Sequence, residues 1–330
     1  MDKFHAAVSQ SKDQQKGRSK MFASKKRFVL ITVLLMAVVM ATGCRGIRRQ
    51  VGATPTPAAG ATTTAKGWSL IPINVTKSAT GDLHVDLAAR NDSGAWSSMA
   101  AAEKPASLTT KDGKNVSCDT VQVSTGGHYL PPGFQVRGYT LKGDKTQTLY
   151  VECKGAEPSG GSRLSIPYSF VTGEYDYYAQ DKTKVETQFD VDLDKTSSNL
   201  TYPGTPSSEA KAQPIATPIT ALNKCTLANT GVARTGDTIL FQWKVTNPGE
   251  YDTKVHIGAP PVLGSDGILY GVRVSPDIVD QPFAPPAAAA EFKTQVSVPQ
   301  SVTGLYLLLS VEQSRERLFA NYLIDLTGLK

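Results

Sequence analysis

Beyond residue 66 the chain alternates between apolar and polar positions. Leu83, Val85, Leu87 and Ala89 are interleaved with Asp82, His84, Asp86 and Ala88. Phe189, Val191 and Leu193 are interleaved with Gln188, Asp190 and Asp192. Ile239, Phe241, Trp243 and Val245 are interleaved with Thr238, Leu240, Gln242 and Lys244. Successive side chains of an extended strand point to opposite faces, so each run predicts a strand with one buried face. Asp-Gly, Pro-Pro-Gly and Gly-Gly clusters stand between the runs and read as turns. No stretch after residue 50 sustains an apolar period of 3.6. Short strands with frequent turns predict an all-β protein of antiparallel sandwiches.

The N-terminal region departs from this pattern. Lys25-Lys26-Arg27 ends a basic stretch, and residues 28–42 form an uncharged apolar run. Ala41-Thr42-Gly43-Cys44 follows. Basic residues, an apolar run and small residues at a cleavage point make a signal peptide. A Cys at that point resembles the lipobox of bacterial lipoproteins, with Ala41 standing where Leu is usual. The resemblance implies that Cys44 is lipidated and becomes the mature N-terminus, since acyl chains hold a soluble body on a bilayer. The competing reading is an uncleaved anchor. The run is shorter than the roughly 20 residues a spanning helix needs, and Arg45, Arg48 and Arg49 beyond it oppose the positive-inside bias. Both readings place the body outside the cytoplasmic membrane, at the cell surface or in the periplasm.

Two polar breaks divide the remainder. Residues 51–65 are Thr, Pro, Ala and Gly with no large apolar side chain beyond Val51, a composition that forms a spacer and no core. A second break runs from Tyr202-Pro203-Gly204 to Gln213-Pro214. The expected organisation is a leader (1–43), the lipidated Cys and linker (44–65), a first sandwich (66–200), a linker (201–213) and a second sandwich (214–330).

The two sandwiches read as copies. Asn91 and Asn247 each end a strand; Asp112-Gly113 and Asp266-Gly267, Pro131-Pro132 and Pro285-Pro286, and Tyr150 and Tyr306 follow in the same order at similar spacings. Landmarks recurring in order argue for a tandem repeat, with an extra hairpin in the first copy near 156–180. The strand ending in Asn91, the Asp112-Gly113 turn and the Pro132-Gly133 loop resemble the immunoglobulin-like domain of unknown function found in bacterial lipoproteins. Asn247 and Asp266-Gly267 carry the same likeness in the second copy, where Ala287 replaces the Gly. The resemblance implies an extracytoplasmic Ig-like sandwich and brings no catalytic residues.

Charge narrows the partners. Residues 1–43 hold eight Lys/Arg and two Asp, leaving 27 basic and 27 acidic residues from Cys44 onward. The near-neutral body lacks the basic footprint of a nucleic-acid binder. The expected partners are the membrane, through lipid on Cys44, and a protein or cell-wall component.

Candidate chemistry is sparse. Export permits disulfides. Cys118 and Cys153 lie in two strands of the first sandwich, and a bridge between them would close a loop of about 36 residues worth about 3–4 kcal/mol. The alternative is two buried thiols; Cys225 is left over. His84, His128 and His256 are scattered and match no zinc spacing. Asp190, Asp192 and Asp194 lack the Gly and Glu of a calcium loop and read as a solvated strand face. No nucleophile-elbow, zincin or P-loop motif occurs, so neither an enzyme nor a cofactor is expected, although a spatial triad would leave no sequence mark. Aromatic residues give the one lead on binding: Tyr168, Phe170, Tyr175, Tyr177 and Tyr178, around a hairpin loop expected at 171–174, form a candidate binding surface. The alternative is that these rings cover their own sheet edge. The expected function is a non-catalytic binding or spacer module. Two other classes stay open: an accessory subunit of an envelope export, assembly or transport machine, and a hydrolase with a triad assembled in space.

Overall fold

The computed structural model describes residues 63–65, 67–140, 145–157, 159–172, 183–204, 210–220, 226–247, 255–257, 260–271, 273–274, 288–313 and 318–329. Among these residues the protein is all-β, as expected. In chain order the first strands are β1 (Thr63–Ala65), β2 (Trp68–Lys77), β3 (Leu83–Asn91), β4 (Ala106–Thr109), β5 (Asn115–Cys118), β6 (Thr120–Gln122), β7 (Gln135–Val136), β8 (Gly138–Thr140), β9 (Thr146–Cys153), β10 (Arg163–Thr172) and β11 (Thr183–Asp192). The rest are β12 (Ala212–Pro214), β13 (Ile219–Thr220), β14 (Thr226–Thr235), β15 (Thr238–Asn247), β16 (Val255–Ile257), β17 (Val262–Leu263), β18 (Ile268–Tyr270), β19 (Arg273–Val274), β20 (Ala288–Ser297), β21 (Tyr306–Gln313) and β22 (Leu318–Asp325).

The alternation read from the sequence becomes the core. Leu83, Val85 and Leu87 of β3 are buried while His84 and Asp86 are half-exposed. Leu164 and Ile166 of β10 and Phe189 and Val191 of β11 join them in one cluster, so the sheet β11-β10-β4-β5 shares its core with β2, β3 and β9. A second cluster gathers Ile239, Phe241, Trp243 and Val245 of β15 with Leu307 and Leu309 of β21. The larger apolar side chains each contribute about 1.5–3 kcal/mol when fully buried. The two buried indoles also satisfy their N–H groups: Trp68 Nε1 donates to Ser97 Oγ at 2.9 Å, and Trp243 Nε1 to Thr294 Oγ1 at 3.0 Å. Both Asp-Gly pairs are hairpin turns, with Gly113 at φ 80° and Gly267 at φ 79°, a backbone region that glycine enters without strain.

The two halves are joined edge to edge. One sheet runs β1-β2-β3-β9-β8-β18-β17-β21-β22-β12, and the step between halves is the pairing of β8 with β18. This pairing is parallel, Gly138 opposite Ile268 and Tyr139 opposite Leu269. Arg137 N donates to Gly267 O at 2.9 Å, and Gly271 N to Thr140 Oγ1 at 2.8 Å. Phe134 meets Tyr306 edge-on with ring centroids 5.7 Å apart. Leu263, Leu269, Leu308 and Leu323 of the second half belong to the first core cluster. Gly138 is hemmed in on both sides: a Cβ there would lie 2.5 Å from Gln147 O of the neighbouring β9 and 3.0 Å from Ile268 Cδ1 across the join.

Two sequence expectations are corrected. The landmarks Tyr150 and Tyr306 do not stand in equivalent strands: Tyr150 lies in β9, which pairs with β3, whereas the partner of β15 is β20 and Tyr306 lies in β21. Residue spacing counts the loops as well as the strands, and loops of unequal length move a landmark by a whole strand. The turn expected at 171–174 also moves. Val171 pairs with Lys184 and Thr172 with Thr183, so these two residues still belong to β10; residues 173–174 lie outside the described residues.

Candidate functional site

Cys118 and Cys153 form a disulfide. Cys118 ends β5 and Cys153 ends β9, so the bridge ties together two different sheets, and both residues are fully buried. Cys44 and Cys225 lie outside the described residues, as do Tyr175, Tyr177 and Tyr178. The backbone at Phe170 is part of β10. Tyr168 is placed in the core, unlike the exposed ring expected of a binding surface: it is 3% exposed, its hydroxyl donates to Ala100 O, and its ring meets Phe189 edge-on. Burial raises its phenol well above the ordinary tyrosine range. The inward parity of β10, Leu164 and Ile166 before it, explains the placement.

Of the expected candidates for a catalytic base, His84 has the best-defined setting. On the outer face of β3 its Nδ1 lies 3.0 Å from Glu152 Oε1 and its Nε2 3.1 Å from Asp86 Oδ1. Its ring stacks on Tyr150 at 4.9 Å between centroids. A catalytic triad needs one ring nitrogen facing the nucleophile and the other facing the orienting acid. Both nitrogens of His84 face carboxylates, which makes this a surface cluster and not the base of a triad. Trp96 packs against the first core. Asp190, Asp192 and Asp194 alternate with the buried Phe189, Val191 and Leu193, and Asp192 pairs with Lys195 at 3.0 Å. Among the described residues no group of three or more His, Cys, Asp and Glu is placed to hold a metal ion.

His128 is different in kind. Burial pushes its imidazole down to about 4, so it is neutral in the fold and takes a proton more readily when unfolded. The stability linked to it is full above pH ~6.5, declines as the pH falls, and is lost near pH 4. Discounted for the ring's residual exposure, the expected loss is about 2 kcal/mol. Urea unfolding of wild type and His128→Gln at pH 7 and pH 4.5 reads it directly. Equal losses in the two proteins would show that His128 does not carry the effect.

Two polar sites escaped sequence reading. At the end of β3, Arg90 Nε donates to Asp92 Oδ1 at 2.6 Å and Nη2 to Asp92 Oδ2 at 3.1 Å, both residues buried, with Ser69 Oγ also donating to Asp92. A buried carboxylate requires such pairing. Gln135 lies in the same buried region and donates through Nε2 to Thr201 O at 2.8 Å. The only signal was an opposite-charge pair two residues apart at a strand end, which is common on exposed faces. The second site is a cavity of about 350 Å³ in the second half, lined in part by Arg234, Gln300, Thr303, Leu305, Leu326 and Leu329.

No family model matches the chain, and a search of curated proteins finds no match.

Proposed function

We propose that this chain is an exported lipoprotein, anchored through Cys44, that carries two Ig-like sandwiches outside the cytoplasmic membrane as a non-catalytic display or spacer module. The observation that carries this reading is the continuous sheet through β8 and β18, backed by leucines of the second half packed into the first core. A body joined in this way turns as a unit at the end of its linker, which suits presentation of a surface at a distance. The disulfide fits an oxidising compartment.

Strand order supports the Ig-like part. An Ig sandwich sets strands A, B, E and D in one sheet and C, F and G in the other. The first half offers β2-β3-β9-β8 and β11-β10-β4-β5; the second offers β14-β15-β20-β19 and β12-β22-β21, with β16 and β17 both on β21. In this correspondence β10 and β11 match β21 and β22, so the hairpin of the first half is a regular member of the repeat.

The test is intact mass and membrane fractionation of wild type beside Cys44→Ala. The expected wild-type product lacks residues 1–43, carries acyl chains and sediments with membranes, while the variant stays unprocessed. A full-length, unmodified chain held in the membrane in both cases would replace the lipid anchor with an uncleaved one.

A further inference from the structure

We propose that residues 197–204 are a latch that fixes the angle between the two halves, with the Tyr202 ring as its catch. This goes beyond the display module and does not depend on the anchor. The backbone of the latch is held by the first half. Ser197 N donates to Pro72 O of β2 at 2.8 Å. Thr201 O accepts from Gln135 Nε2 at 2.8 Å, and Pro203 O from Gln135 N at 2.6 Å. Both flanks of residue 202 therefore hang on one residue of β7, itself buried. Gly204 bridges to Phe134, and a Cβ on it would lie 2.7 Å from Gly133 O. Between Pro72 and Gln135 the latch crosses the outer face of β3. Ile71 and Ala88 are fully buried there, although their neighbours Leu70, Leu87 and Ala89 face the core, as a segment lying on that face requires.

The ring of Tyr202 meets the second half. A Cβ on Gly267 would lie 2.5 to 2.8 Å from three of its atoms, so the ring rests on the Asp266-Gly267 turn. Burial pushes its phenol up to about 12, with the charge of Arg137 opposing the rise and that of Asp266 adding to it. The same turn takes the hydrogen bonds of Arg137, from N to Gly267 O at 2.9 Å and from Nε to Asp266 O. Latch, β8 and the turn before β18 thus converge on one point. The ladder between β8 and β18 has two residue pairs, which is short enough to act as a hinge line. Leucine packing across the join has no preferred direction. A ring wedged beside the hinge, on a backbone that the first half holds on both sides, sets the angle.

Hydrogen exchange resolved to single amides, on the full chain in detergent, tests this. The Gln135 amide reports the latch, and the Arg137 and Gly271 amides report the join. In wild type the three should be protected equally, within about threefold, because latch and join open together. Tyr202→Ala should speed exchange at Arg137 and Gly271 on the order of tenfold or more, while the amides of β15 keep their wild-type protection. Tyr202→Phe should leave every rate unchanged, because the ring makes the contact. No acceleration in Tyr202→Ala, acceleration confined to Gln135, or acceleration spread evenly through β15 would each overturn the proposal. So would a wild-type Arg137 amide that exchanges more than about tenfold faster than Gln135, since the join would then open under a closed latch. This wild-type comparison decides the matter even if Tyr202→Ala does not fold.

Discussion

Replacing Cys118 and Cys153 together by Ala is expected to lower the unfolding free energy by about 4 kcal/mol. The two cysteines are 35 residues apart, and in the loop-entropy description a bridge of that span restricts the unfolded chain by about this amount. The position of the bridge makes the loss consequential. It joins the end of β5 to the end of β9, and these strands belong to different sheets facing one core. A domain with a typical 5–15 kcal/mol of stability would lose a quarter or more of it. Urea unfolding under non-reducing conditions, variant against wild type, measures the difference. A loss below about 1 kcal/mol would mean that the reduced, unfolded chain is already restricted in this loop.

The second large effect is expected at the seam. Gly138→Ala should cost about 2–3 kcal/mol, because the new methyl would sit 2.5 Å from the backbone oxygen of Gln147 and 3.2 Å from Thr148 Cα. Neither atom belongs to a flexible side chain that can swing aside. The methyl would also lie 3.0 Å from Ile268 Cδ1 of β18, so the displaced β8 strains the one strand-to-strand step that joins the halves among the described residues. We therefore expect calorimetry to resolve two transitions in the variant where wild type shows one. Gly113→Ala is the control: its φ of 80° makes it unfavourable by about 1 kcal/mol, yet a side chain there meets nothing within 4 Å. It should lower the midpoint and keep a single transition. One transition in Gly138→Ala would show that coupling runs through the packed leucines and not through the strand pair.

What the sequence disclosed followed from local rules. Alternation identified β3, β11 and β15 and their buried faces, because the period of a strand is written into neighbouring residues. The Asp-Gly pairs marked turns because glycine reaches a positive φ without strain. The bridge between Cys118 and Cys153 was legible from their placement in two strands of one half. The seam was not, since β8 and β18 have three residues each, too few to show a period, and a parallel contact between distant segments leaves no turn between them. Tyr168 was misplaced because an aromatic cluster looks alike in a core and on a surface; the inward parity of Leu164 and Ile166 held the deciding information. Arg234 gave no signal because its cavity is assembled from the ends of β14 and β22 and the loop after β20, which meet only in three dimensions.

The joined sheet also bears on how such a chain could be rearranged. Along the backbone, the break near Tyr202-Pro203-Gly204 looks like a place where two cassettes were spliced. In the sheet it is not: either half, cut out, would carry a bare strand edge at β8 or β18, and leucines now packed across the seam would face water. Such edges recruit unrelated chains. The two halves have become mutual covers, and neither can be shuffled into another protein without a substitute for the other.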